Sequence, residues 1–145
     1  AWPVLAVVFL GDGRIASASS LHESEEIALF KLIGSELHLL KRITAASRQR
    51  DALFNECTNL TQLALADDGR LAHCVNKSGS ALRFFSSTGE EYKQHAGVRS
   101  VALTFVPNGC LVSFWHGTGT IYGVTGVVLR CMKQREDNLD GSVFL

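Results

Sequence analysis

His95, Ser113, four cysteines, a Gly-x-Gly run and a carboxylate cluster are the residues whose types could carry chemistry. An imidazole titrates near neutral pH and could serve as an acid or base. His95 stands just ahead of an apolar segment, where a structural donor is the better reading. Ser113 has no Gly-x-Ser-x-Gly elbow and no assigned oxyanion donors, so it is not read as a nucleophile. The run Trp115-His116-Gly117-Thr118-Gly119 lacks the second half of a phosphate loop and opens no helix, so a hairpin turn is expected. Glu23, Glu25 and Glu26 sit together, but paired carboxylates need a defined separation to do acid-base work. A solvated turn accounts for them. Cys57, Cys74, Cys110 and Cys131 are separated by 17, 36 and 21 residues, with no Cys-x-x-Cys pair and no His at ligand spacing. That spacing favours reduced structural thiols, in the cytosol or nucleus, over a zinc site or a disulfide framework. The expectation is no catalytic residue, no metal ligand and no cofactor.

The elements that must position these residues follow from composition and repeats. The chain has 145 residues, 46% hydrophobic and 19% charged, which is the balance of a packed domain. Fourteen Lys+Arg against fourteen Asp+Glu leave no net charge, so the basic footprint of a phosphate-gripping protein is missing. The longest apolar stretch, Trp2 to Leu10, has nine residues and is closed by Gly11-Asp12-Gly13. A spanning helix needs roughly 20, and with no basic residues before the stretch it reads as a buried strand. Because the chain begins at Ala1 and holds Met132 alone, its first residue is not expected to be a translation start.

One punctuation mark recurs three times: Gly11-Asp12-Gly13, Asp67-Asp68-Gly69 and Pro107-Asn108-Gly109. Asp-Gly and Asn-Gly favour two-residue hairpins, since both central positions accept positive φ. An apolar segment precedes each turn and a second strand follows it, as in Arg14-Ile15-Ala16-Ser17, Arg70-Leu71-Ala72-His73 and Cys110-Leu111-Val112-Ser113. Third and fourth segments then follow, joined at Gly34, Gly89 or Gly126. Each unit therefore reads as a four-stranded antiparallel meander. The turn glycines Gly13, Gly69 and Gly109 are 56 and 40 residues apart, and a period near 40 with four strands is that of a propeller blade. The extra length between the first two units falls mostly at residues 44–59, where Thr44 can cap a run of helix formers without Gly or Pro. A short helical insertion is expected there.

The third unit resembles a WD-repeat propeller. His95-Ala-Gly-Val98, the alternating segment to Phe105, the Pro107-Asn-Gly109 turn and the strand ending at Ser113 are similar to that family's spacing, and Gly119-Thr120-Ile121-Tyr122 to its entry into a third strand. The signature Trp-Asp pair is replaced by Phe30-Lys31, Phe84-Phe85 and Gly123-Val124. The resemblance implies an all-β propeller segment with a first blade over about 4–43, a second over about 60–95 and a third over about 98–133. Residues 134–145 would be a tail or the start of a further blade. It also implies that His95 donates to Ser113 within the third blade, as half of the family's buried relay. Three blades fall short of the four to eight that close a ring, so more chain or another polypeptide is expected to complete it.

In a meander the turns between second and third strands share a rim with the links between units. That rim collects His22, Lys77, Trp115, His116 and the insertion with Arg48 and Arg50. Trp and Arg are frequent interface anchors, so these six are the candidate partner-binding residues. His95, Ser113, Gly13, Gly69 and Gly109 are the candidate structural ones. The expected role is a non-enzymatic protein-interaction scaffold within a larger intracellular assembly, whose partners are other protein subunits. The alternatives are a non-catalytic segment of a propeller enzyme and an RNA-associated propeller, the latter disfavoured by neutral charge.

Overall fold

The computed structural model describes residues 4–21, 24–46, 60–76 and 80–133. Twelve strands are described: β1 (Val4–Phe9), β2 (Arg14–Leu21), β3 (Ser24–Ile33), β4 (Glu36–Ala46), β5 (Leu60–Leu65), β6 (Leu71–Asn76), β7 (Ala81–Phe85), β8 (Glu91–Ala96), β9 (Ala102–Phe105), β10 (Leu111–Trp115), β11 (Thr118–Tyr122) and β12 (Val128–Lys133). They form three four-stranded antiparallel sheets, each a simple meander of consecutive strands. The three meanders expected from the repeat are therefore present, and no helix occurs among the described residues. The helix expected from Thr44 does not begin there. Ser24, Glu25 and Glu26 of β3 pair with Ala46, Ala45 and Thr44, so cross-strand hydrogen bonding overrides a modest local helix preference. The rest of that insertion, 47–59, lies outside the described residues.

The repeated turns are not two-residue hairpins. In the first, the Leu10 N–H donates to the Arg14 carbonyl at 2.8 Å and the Gly13 N–H to the Leu10 carbonyl at 3.1 Å. That is a three-residue loop, a type I turn followed by a glycine in the left-handed region. Gly13, Gly69 and Gly109 have φ of 89°, 92° and 88°. The preceding Asp or Asn keeps negative φ and uses its side chain instead: Asp12, Asp68 and Asn108 accept from the N–H two residues on, at 3.0, 3.1 and 3.0 Å.

Each sheet has two apolar faces, and equivalent positions recur in register. Val7, Phe9, Ile15 and Phe30 of the first sheet correspond to Leu63, Leu65, Leu71 and Phe85 of the second and to Leu103, Phe105, Leu111 and Tyr122 of the third. In the second and third sheets this face is covered by the sheet before it. The first core joins Ala16, Ala18 and Ile27 to Leu63, Leu65, Leu71 and Phe85; the second joins Ala64, Ala72, Cys74, Leu82 and Phe84 to Leu111 and Tyr122. The second sheet is thus buried on both sides, with β1, β5 and β9 lying against one another along one edge of the stack.

An arginine staples each junction. Arg14 Nε is held by Asp12 Oδ2 at 2.7 Å while its Nη2 donates to the Asp67 carbonyl of the next turn. Arg70 repeats the arrangement, with Nε on Asp68 Oδ2 at 2.7 Å, Nη2 on the Gly109 carbonyl at 3.0 Å and Nη1 on the Val124 carbonyl at 3.3 Å. A Cβ at Gly109 would stand 2.9 Å from Arg70 Nη2, so glycine there serves the close approach as well as the turn. The third sheet has Cys110 at the equivalent position.

Candidate functional site

Trp115 ends β10, and the His116-Gly117 pair turns the chain into β11, with Trp115 opposite Thr118. Both turn residues have positive φ, 42° and 72°, the geometry of a two-residue type I′ hairpin. The hairpin expected at this Gly-x-Gly run is therefore present. His116 is the one non-glycine with positive φ among the described residues, a conformation to which His is better suited than most side chains. It sets the exposed imidazole edge-on to the half-buried indole, with centroids 4.3 Å apart at 84°.

Arg99 completes the cluster, its guanidinium 5.8 Å from the centre of the Trp115 ring. The segment carrying it is fixed by its neighbours. Ser100 is fully buried, its hydroxyl donates to the Ala102 carbonyl at 2.7 Å, and Ser113 Oγ donates to Ser100 Oγ at 3.0 Å. The Val101 N–H also donates to the Phe114 carbonyl at 2.8 Å. Ser113 thus bonds to the segment that carries Arg99 and is not bonded to His95. Arg99 itself is exposed and makes no ion pair with a described carboxylate. An exposed cation on an aromatic face, held by buried hydrogen bonds, can grip an anionic or aromatic group at little ordering cost.

His95 lies within β8, the last strand of the second sheet, and its Nε2 donates to the Gly126 carbonyl at 2.6 Å. The expected bond to Ser113 is absent because the imidazole points across to the β11–β12 turn, against Tyr122 at 5.1 Å and Phe84 at 6.0 Å. It ties the second sheet to the third. Burial raises the Tyr122 hydroxyl to a pKa of about 12, with Cys131 and Cys74 adding to the shift. Glu26, one of the acidic cluster, faces Arg42 at 3.7 Å.

On the opposite rim, β1, β5, β9 and their turns border a cleft of about 570 Å³, with Asp67, Asp68, Arg70 and Asn108 at its polar end. The Asp68 carboxyl lies below the ordinary aspartate range: burial opposes this, but the Arg70 backbone N–H and guanidinium outweigh it. Asp12 is lowered chiefly by the Arg14 backbone N–H. These groups hold the turns to one another.

Of the six partner-binding candidates, Trp115 and His116 are brought together; His22, Arg48, Arg50 and Lys77 lie outside the described residues. Arg14, Arg70 and Arg99 were not singled out by sequence. For the first two a signal exists, since Asp-Gly-Arg recurs at Asp12-Gly13-Arg14 and Asp68-Gly69-Arg70. Arg99 carries no comparable mark.

No helix among the described residues is long and apolar enough to cross a membrane. No protein-family model and no curated protein matches the chain. Among solved structures it is similar to a protein of unknown function from Bacteroides caccae, at 14% identity and a TM-score of 0.49, over 92% of this chain and 47% of that one. The chain therefore spans about half the length of that neighbour.

Proposed function

We propose that the three sheets are successive blades of a WD-repeat-like β-propeller, and that the chain is a non-enzymatic scaffold presenting a rigid rim to other protein subunits in the cytosol or nucleus. The observation that carries the scaffold reading is the Arg99–Trp115–His116 cluster, exposed at its cationic and imidazole ends and locked from below by Ser100 and Ser113. Aromatic and Arg side chains on a pre-ordered frame are the usual anchors of an interface. Support for the propeller comes from the three stacked meanders with β1, β5 and β9 side by side.

The test is quantitative affinity capture with wild type, Trp115→Ala and Arg99→Gln. Loss of a defined set of partners in both variants, with unchanged thermal unfolding, supports the reading. An identical partner set in all three proteins would refute it.

A further inference from the structure

We infer, building on the scaffold reading above, that the end of the third sheet around Arg99, Trp115 and Lys133 docks an extended acidic segment of a partner protein. The whole chain carries no net charge, yet residues 92–133 hold Lys93, Arg99, Arg130 and Lys133 and no Asp or Glu. Charge is therefore segregated along the chain. The second sheet, packed against the third, has its described carboxylates Asp67, Asp68, Glu90 and Glu91 in or beside the β5–β6 and β7–β8 turns. Those turns are at the end of the stack where Arg70 meets the β9–β10 turn, opposite the β10–β11 turn. No described carboxylate of either sheet thus stands at the Trp115 end, and a cationic surface without anions of its own attracts an acidic partner.

Strand register sets the spacing of the cations. Trp115 pairs with Thr118, and Thr118 with Lys133, so the three are successive neighbours in one cross-strand row on one face of the sheet. In the strand order β12-β11-β10-β9, Lys133 flanks the indole on one side. Arg99, which precedes β9, reaches it from the other. Both cations are exposed, and neither is paired with a described carboxylate. Two strand spacings, about 10 Å, separate the backbones of Trp115 and Lys133, a span that an extended chain covers in about three residues. Carboxylates at that interval can meet both cations at once. Arg99 is the stronger half, since a guanidinium held against a ring is ordered in advance and offers a planar N–H edge to a carboxylate, whereas Lys133 supplies a point charge on a flexible stem. Single-stranded RNA would need open aromatic faces for its bases, and the half-buried Trp115 ring already has Arg99 and His116 against it. A protein segment bearing carboxylates needs the cations alone.

Fluorescence anisotropy of the full chain tests this, with a labelled Gly-Ser peptide carrying glutamate at every third residue, the same peptide with glutamine instead, and an oligouridine of equal charge. The variants are Arg99→Gln, Lys133→Gln and Arg130→Gln. Arg130 is the control: it is exposed and on the same strand as Lys133, but it pairs with Ile121 and so lies on the other face. Thermal unfolding verifies that each variant folds. The glutamate peptide is expected to bind, to weaken as salt is raised, and to bind better than the glutamine peptide and the oligouridine. Arg99→Gln should weaken it about tenfold, the effect of one charge-assisted hydrogen bond. Lys133→Gln should weaken it about two- to fivefold, as for an exposed ion pair, and Arg130→Gln should leave it unchanged. Equal binding of the glutamine peptide overturns the inference, as does a loss with Arg130→Gln as large as that with Arg99→Gln. Tighter binding of the oligouridine, lost with Arg99→Gln, overturns it in favour of RNA. If the glutamate peptide does not bind, the inference fails, and captured partners that are still lost with Trp115→Ala and Arg99→Gln leave the scaffold reading standing. If the peptide behaves as expected while the captured partners are the same in every variant, the site stands and the scaffold reading falls.

Discussion

Arg70→Met removes the guanidinium while keeping an apolar stem, and its cost can be worked from the contacts. The side chain is 13% exposed and joins Asp68, the Gly109 carbonyl, the Val124 carbonyl and the face of Phe105 at 5.3 Å. Asp68 is 57% exposed, so its carboxylate rehydrates and that ion pair is worth less than about 1 kcal/mol. The Val124 carbonyl also accepts from the Tyr92 hydroxyl at 3.2 Å, so it keeps a partner. The Gly109 carbonyl loses a charge-assisted bond, worth about 1.5 to 3 kcal/mol, and the ring contact adds about 0.5 to 1. The expected loss is roughly 2 to 4 kcal/mol, or a fall in Tm of roughly 6 to 12 °C for a chain of this size. Urea unfolding followed by Trp115 fluorescence in a Trp2→Phe background reads the third sheet, and far-UV circular dichroism reads all three. Because the staple joins the second sheet to the third, the Trp115 transition should shift at least as far as the dichroism transition. A Trp115 transition within about 0.5 kcal/mol of wild type, the range of ordinary surface substitutions, would refute the staple.

Three further outcomes follow from the same contacts. Asp12 and Asp68 have pKa values below 3.8 in the fold, so their contribution is present above the unfolded pKa and lost as pH falls through the folded one. The urea midpoint should decline on acidification below about pH 4, and the double variant Asp12→Asn, Asp68→Asn, which keeps the turn acceptor as Asn108 does, should flatten that decline. Tyr122 is raised from 10.0 to about 12, so its contribution is complete below pH 10 and lost between there and 12; Tyr122→Phe should remove this alkaline dependence, read by melts and tyrosinate absorbance. His95→Ala should cost about 1 to 3 kcal/mol for the Gly126 bond and ring packing. In a double-mutant cycle with Ser113→Ala the two losses should add within about 0.5 kcal/mol, and a larger coupling would restore a shared relay.

The meanders were legible in the sequence because their determinants are local. Alternating apolar residues choose a strand, and Asx followed by Gly chooses a turn, whatever lies further along the chain. Even there the turn type depended on more than the dipeptide. Asp12 caps the N–H of Arg14 and so avoids positive φ, which makes the loop three residues long. Thr44 shows the limit of local propensity, since pairing with Glu26 of β3 draws it into a strand. What tertiary structure alone decided was the partner of each long side chain. Arg14 and Arg70 reach carbonyls 53 and 39 residues away, and His95 turns from Ser113 to Gly126. The same holds for the faces: Phe9 and Leu65 occupy equivalent positions, yet one is open and the other buried. Burial belongs to the neighbouring sheet and not to the residue, because the hydrophobic effect responds to area removed from water and a strand's own pattern cannot say what will cover it.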